Sequence, residues 1–124
     1  MHEIKTKRVY DPPAPGDGTR VLVDRLWPRG LTKEKVKADL WLKEAGPSNE
    51  LRKWFHHESA NWTEFKTRYE QELSAKPEII RELMAMASKG PLTLVYSAHS
   101  EEENQAVVIK EFLLKHQGTK GPDV

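Results

Sequence analysis

An acid, two arginines and an indole follow one another in Asp24-Arg25-Leu26-Trp27-Pro28-Arg29-Gly30, directly behind the apolar run Val21-Leu22-Val23. Arginine carries a planar fork of N–H donors that matches carboxylate and phosphate, and a loop leaving a strand end holds such groups on a rigid scaffold. Arg29, in a Pro-Arg-Gly turn, is therefore read as an anion contact. Asp24 is read as a general base or as the group that orients an arginine, with Arg25 beside it. Arg8, Lys43 and Arg52 are further cations that a strand-end site can gather. The same residue types also build an internal Asp-Arg network that pins a loop, with Trp27 in the core. Adjacent strand residues face opposite sides of a sheet, so Asp24 and Arg25 share a cavity only if the strand has ended before them.

His56-His57-Glu58 follows Trp54-Phe55 near the end of a helix. His57 joins Asp24 and Arg25 in the candidate catalytic set as a general acid or base; a surface cation favoured by the negative end of the helix dipole is the plainer reading. Ser97-Ala98-His99-Ser100 lies between an apolar run and a helix, where α/β proteins bind anions on free amides. There, however, Ser100 with Glu103 fits a capping box, and Glu101, Glu102 and Glu103 bring negative charge to the positive helix end. A self-capped helix that repels phosphate is the better reading, which leaves Ser97 or His99 to reach a ligand from the strand end. No Gly-rich phosphate loop and no Gly-x-Ser-x-Gly elbow occurs, and no histidine has ligand spacing. No cofactor and no metal are expected.

The elements that must position these residues follow from periodicity. Residues 4–10 alternate and read as a polar edge strand, ended by the Pro-rich stretch from Asp11 to Gly18. Residues 20–26 read as a second strand and residues 92–96 as another. Their near-continuous apolar runs fit strands covered on both faces, and so the interior of one sheet. Thr32 caps a short helix over 33–37, and 39–43 is a short strand or extended segment. Ser48 caps a helix carrying Leu51, Trp54 and Phe55; Trp62, Phe65, Tyr69 and Leu73 form the stripe of a longer one, starting from Ser59 or Asn61. Pro77 opens a helix that Gly90-Pro91 stops, and a last helix spans about 101–116. The fold class that follows is α/β: a small, partly parallel sheet with helices on both faces, in one domain over 1–116, with 117–124 as a flexible tail.

At 124 residues the chain suits a single core, and 37% hydrophobic with 31% charged residues fits a globular protein. Cysteine is missing, which removes thiol nucleophiles, disulfides and Cys-ligated zinc. The N-terminal residues hold no signal-peptide core and no run approaches the ~20 apolar residues of a spanning helix, so a cytoplasmic place and no membrane partner are expected. The net charge is +1, with 12 Lys/Arg against 9 Asp/Glu in residues 1–60 and 8 against 10 in 61–124. That bias favours an anionic small molecule near the first half; it lacks the dense basic stripe of a nucleic-acid binder, so nucleic acid is not expected as a partner.

Arg8-Val9-Tyr10-Asp11, the 24–30 block, Trp41-Leu42-Lys43, Pro47-Ser48-x-Glu50-Leu51-Arg52-Lys53-Trp54-Phe55, Trp62-x-x-Phe65-x-x-x-Tyr69 and Leu94-Val95-Tyr96 occur in order. This set resembles the YeaO-like branch of a bacterial domain family of unknown function, number 488, over about residues 4–115. The resemblance implies a small α/β domain and carries no substrate, cofactor or catalytic residue. Other branches bear cysteines in the segment matching 96–104, which this chain lacks, so their thiol chemistry does not transfer. The reading favoured here is an enzyme or small-ligand protein taking an anionic metabolite at an Arg-rich strand-end site. A regulatory or nucleic-acid-associated domain, or a partner-binding module without chemistry, is the alternative.

Overall fold

The computed structural model of the chain describes residues 2–56 and 58–120. In chain order they form β1 (Ile4–Arg8), β2 (Thr19–Leu22), α1 (Lys33–Val36), β3 (Leu40–Trp41), α2 (Asn49–Phe55), α3 (Trp62–Ser74), α4 (Pro77–Lys89), β4 (Leu92–Tyr96) and α5 (Gln105–Lys120), with single 3-10 turns at Pro15–Asp17, Lys43–Ala45 and Ser59–Asn61. The four strands make one parallel sheet in the order β1-β4-β2-β3. The continuous apolar runs thus occupy the two central positions, Val21 opposite Leu94 and Leu22 opposite Val95, while the polar β1 lies at an edge.

Alternation along the central strands divides the core in two. Val21, Leu92, Leu94 and Tyr96 pack with apolar residues of α2 to α5, among them Phe65, Tyr69, Leu83 and Ile109. Leu22, Val95 and Val9 face the other way and meet Val36 of α1, with Trp27, Leu31 and Ala38 against them. Helices therefore cover both faces unequally: four on one side, and on the other the four-residue α1 with the chain on either side of it. Thr32 accepts a hydrogen bond from the Lys35 amide (3.3 Å) and Ser48 from the Leu51 amide (3.1 Å), so both expected caps form. Asn61 makes no side-chain cap; the 3-10 turn from Ser59 leads straight into α3.

Beneath the second face, Arg20 is buried with its Nη1 2.6 Å from the Asp17 carboxylate and donates to the carbonyls of Val36 (2.7 Å) and Lys37 (3.0 Å). Lys7 completes the pair at 3.2 Å. This network ties the turn after β1 to the end of α1, so each buried charge has a partner. Gly18 links that turn to β2 with φ +64, and an added Cβ would stand 2.2 Å from the Pro91 carbonyl oxygen, a space only glycine can occupy.

Three boundaries differ from expectation. The second strand, expected over 20–26, stops at Leu22 in the ladder: Val23 still donates to Val95 (3.0 Å), but the next amide of that ladder, Ser97, is taken by the Asp24 side chain (3.0 Å). On the β3 side, Trp41 Nε1 donates to the Asp24 carbonyl (2.8 Å). Side chains replace backbone on both flanks, and the sheet opens at Asp24. The first strand likewise ends at Arg8, where the Asp11 amide turns back onto the Arg8 carbonyl before Pro12. The last helix begins at Gln105. Ser100 Oγ does accept from the Glu103 amide (2.9 Å), but the Glu103 carboxylate accepts from Ser59 (2.7 Å) instead of closing a box, and Asn104 Oδ1 caps the helix at the Val107 amide (3.0 Å). That helix continues through Lys120, so four residues of the segment read as a tail have helical backbone and 121–124 lie outside the described residues.

Candidate functional site

Where the sheet opens, a cavity of about 340 Å³ lies at the carboxyl ends of β1, β2 and β4, the end at which parallel α/β sheets hold ligands. Asp24 and Arg25, Arg29, Arg52, Ser97 and Gln105 supply its polar groups. Phe55, Phe65, Leu26, Trp27, Pro28 and Pro47 supply most of its apolar wall, and Tyr10 stands at the rim with its hydroxyl donating to the Arg29 carbonyl (3.1 Å). Because the strand ends at Leu22, Asp24 and Arg25 are free of strand alternation and line one space.

Asp24 is 6% exposed. Its carboxylate accepts from the Ser97 amide and from Gln105 Nε2 of the first turn of α5. Burial is the strongest influence on it and lifts its pKa from an ordinary 3.8 to about 6, against the lowering pull of the Ser97 and Gln105 hydrogen bonds and the Arg52 charge. It therefore holds or releases a proton near neutral pH, from within a fixed set of donors.

The arginines divide by what they already hold. Arg25 donates through Nε to the Pro47 carbonyl (2.8 Å) and through Nη2 to the Gly46 carbonyl (3.1 Å), with Glu44 3.7 Å from Nη1. Its fork clamps the turn before α2, and the backbone there comes so close that an added Gly46 Cβ would be 3.0 Å from the Arg25 amide. Arg52, on α2, gives Nη2 to Asn49 (3.1 Å), while its Nε is buried with no hydrogen-bond acceptor. Arg29 is exposed at the mouth. Arg8 donates Nε to the Ala98 carbonyl (3.0 Å) and lies over the Tyr10 ring, bracing the rim from outside. Lys43 is exposed, its ammonium 5.5 Å from the centre of the Trp41 ring and away from the cavity wall. His57 lies outside the described residues.

Tyr10, Asn104, Gln105, Phe55 and Phe65 belong to this wall without having been marked as site residues. One signal was readable: Asn104 is a strong cap residue immediately before the apolar rhythm of Ala106, Val108, Ile109, Phe112 and Leu113, which places Gln105 at the first turn. A second hollow, bounded by Phe55, Ser59, Ser97, Ala98, His99 and Glu103, adjoins the first. No group of metal-ligating side chains exists among the described residues, and no described helix is long and apolar enough to cross a membrane.

A family described as the inactive DUF488-N3 subclade matches residues 3–122. The chain is 46% identical over 110 residues to the uncharacterised protein YeaO of Escherichia coli strain K12, covering 89% of this chain and 96% of that one. It is 36% identical over 110 residues to the uncharacterised proteins Rv3073c of Mycobacterium tuberculosis strain H37Rv and Mb3100c of Mycobacterium bovis, covering 89% of this chain and 92% of each. No solved structure matches the chain significantly.

Proposed function

Since the chain belongs to the inactive DUF488-N3 subclade of the YeaO-like proteins, we propose that it binds a small anionic ligand in the strand-end cavity and does not turn it over. The observation that carries this reading is the Arg52 Nε, a charged donor buried in the wall with no acceptor. A buried donor left without a partner costs free energy that a ligand oxygen would recover. The surrounding charge agrees: three arginines line the cavity with one aspartate, whose carboxyl is half-protonated near pH 6. Absence of turnover fits the state of Asp24, whose oxygens already accept from Ser97 and Gln105, and of Arg25, whose fork is engaged by two carbonyls. Lys5 and Lys7, which would otherwise offer phosphate contacts, are held by the Gly16 carbonyl and the Asp17 carboxylate.

Calorimetric titration with small carboxylates and with inorganic phosphate tests the reading. One of these anions should bind the wild-type chain and bind Arg52→Gln about tenfold or more weakly, as expected for loss of a charged hydrogen bond of roughly 1.5–3 kcal/mol. Arg29→Ala should also weaken it while leaving the thermal midpoint within a few degrees, because an exposed side chain costs about 0.5 kcal/mol or less. Equal affinity in wild type and Arg52→Gln, or no anion binding at all, overturns it.

A further inference from the structure

Resting on the anion-binding reading, we propose that the ligand is an aryl carboxylate: a single carboxylate carried on an aromatic ring. The donors and the walls of the cavity both point to this class. A phosphate group presents three strong acceptor oxygens and up to two charges, and sites for it gather several donors. Here several of the donors are already engaged. The Arg25 fork clamps the Gly46 and Pro47 carbonyls, Arg52 Nη2 holds Asn49, the Ser97 amide holds Asp24, and the Asn104 amide group donates to the Ser100 carbonyl. What remains for a ligand centres on Arg52, whose buried Nε has no acceptor, and on the exposed guanidinium of Arg29 at the mouth. Two guanidiniums suit a monoanion; a dianion would meet twice the repulsion from the Asp24 carboxyl that lines the same cavity.

The rest of the wall is built for a flat apolar body. Phe55 and Phe65 stack with ring centres 4.3 Å apart, and Trp27, Pro28 and Pro47 add rigid apolar surface. Leu26 is 58% exposed at the rim and adds apolar surface beside the mouth. At about 340 Å³ the cavity stands at the small end of the ~300–1,000 Å³ range of ligand pockets, which suits one ring with its carboxylate. Offset or edge-on packing of that ring against Phe55 and Phe65 gives a gain that an aliphatic acid lacks.

The test is calorimetric titration of the full chain at neutral pH with benzoate, acetate, inorganic phosphate and benzamide, the last being the uncharged analogue of the first. Benzoate should bind about tenfold or more tightly than each of the others. Arg52→Lys, which keeps the charge and removes Nε, should weaken benzoate with the thermal midpoint retained. Leu26→Ser, a change at an exposed position, should weaken benzoate and leave acetate unchanged. Acetate or phosphate binding as tightly as benzoate overturns the aryl requirement and leaves the anion reading standing. Benzamide binding as tightly as benzoate overturns the anion reading itself, and failure of benzoate to bind at about 10 mM overturns the proposal.

Discussion

Replacing Asp24 by Asn removes one titration from the interior, and the structure sets its size. The carboxyl is 6% exposed and its pKa is lifted from 3.8 to about 6, chiefly by burial. Between those values the folded chain binds more protons at this group than the unfolded one, so the contribution of Asp24 to stability is fully present below about pH 4 and is lost as the pH rises through 6. At 1.36 kcal/mol per pH unit the gap amounts to about 3 kcal/mol from well below pH 3.8 to pH 7, and about 2–3 kcal/mol of it is lost by the wild type between pH 4 and 7 through this group alone. Asn cannot titrate. It also puts an amide against the Ser97 amide or the Gln105 side chain, both donors, which lowers stability by a constant amount at every pH. The observable is therefore a difference of slopes, free of that offset. Urea unfolding of both proteins at pH 4 and pH 7 should show the wild type losing about 2–3 kcal/mol relative to Asp24→Asn, a relative midpoint change of about 1–2 M at m-values of about 1–3 kcal/mol per M. Profiles that run parallel within about 0.5 kcal/mol refute the burial argument, and with it the half-protonated carboxyl beside Arg52.

Two further outcomes probe the scaffold. Gly18→Ala should lower stability by roughly 2–4 kcal/mol in urea unfolding, because φ +64 disfavours a side chain and the new methyl would press on the Pro91 carbonyl; an unchanged midpoint would refute the close approach. Asp17→Ala should cost about 3–5 kcal/mol by leaving Arg20 buried without its carboxylate, whereas the double change Asp17→Leu with Arg20→Met should cost less than the single one; a milder single variant would refute the buried pair.

The parts of the fold that periodicity exposes are those where burial alone decides. Val21-Leu22-Val23 and Leu92 to Val95 had to be covered on both faces, and only the interior of the sheet does that. Thr32 and Ser48 announced their helices because a hydroxyl accepting an amide three residues on is a local bond. The site escapes such reasoning for a definite reason. Whether an arginine is a clamp or a ligand contact depends on its acceptors, and the carbonyls that hold Arg25 belong to Gly46 and Pro47, more than twenty residues away. Every residue has a carbonyl, so that engagement leaves no mark in the sequence. Asp24 is similar: its carboxylate ends a strand by taking the Ser97 amide, a pairing between two strands that no local pattern encodes. The same bond that ends the strand opens the sheet and turns Asp24 and Arg25 toward one cavity, in which Arg52, placed by the register of α2, is left with a buried donor unanswered. Composition located the charged loop; the division of labour among its arginines came from backbone acceptors brought near by the fold.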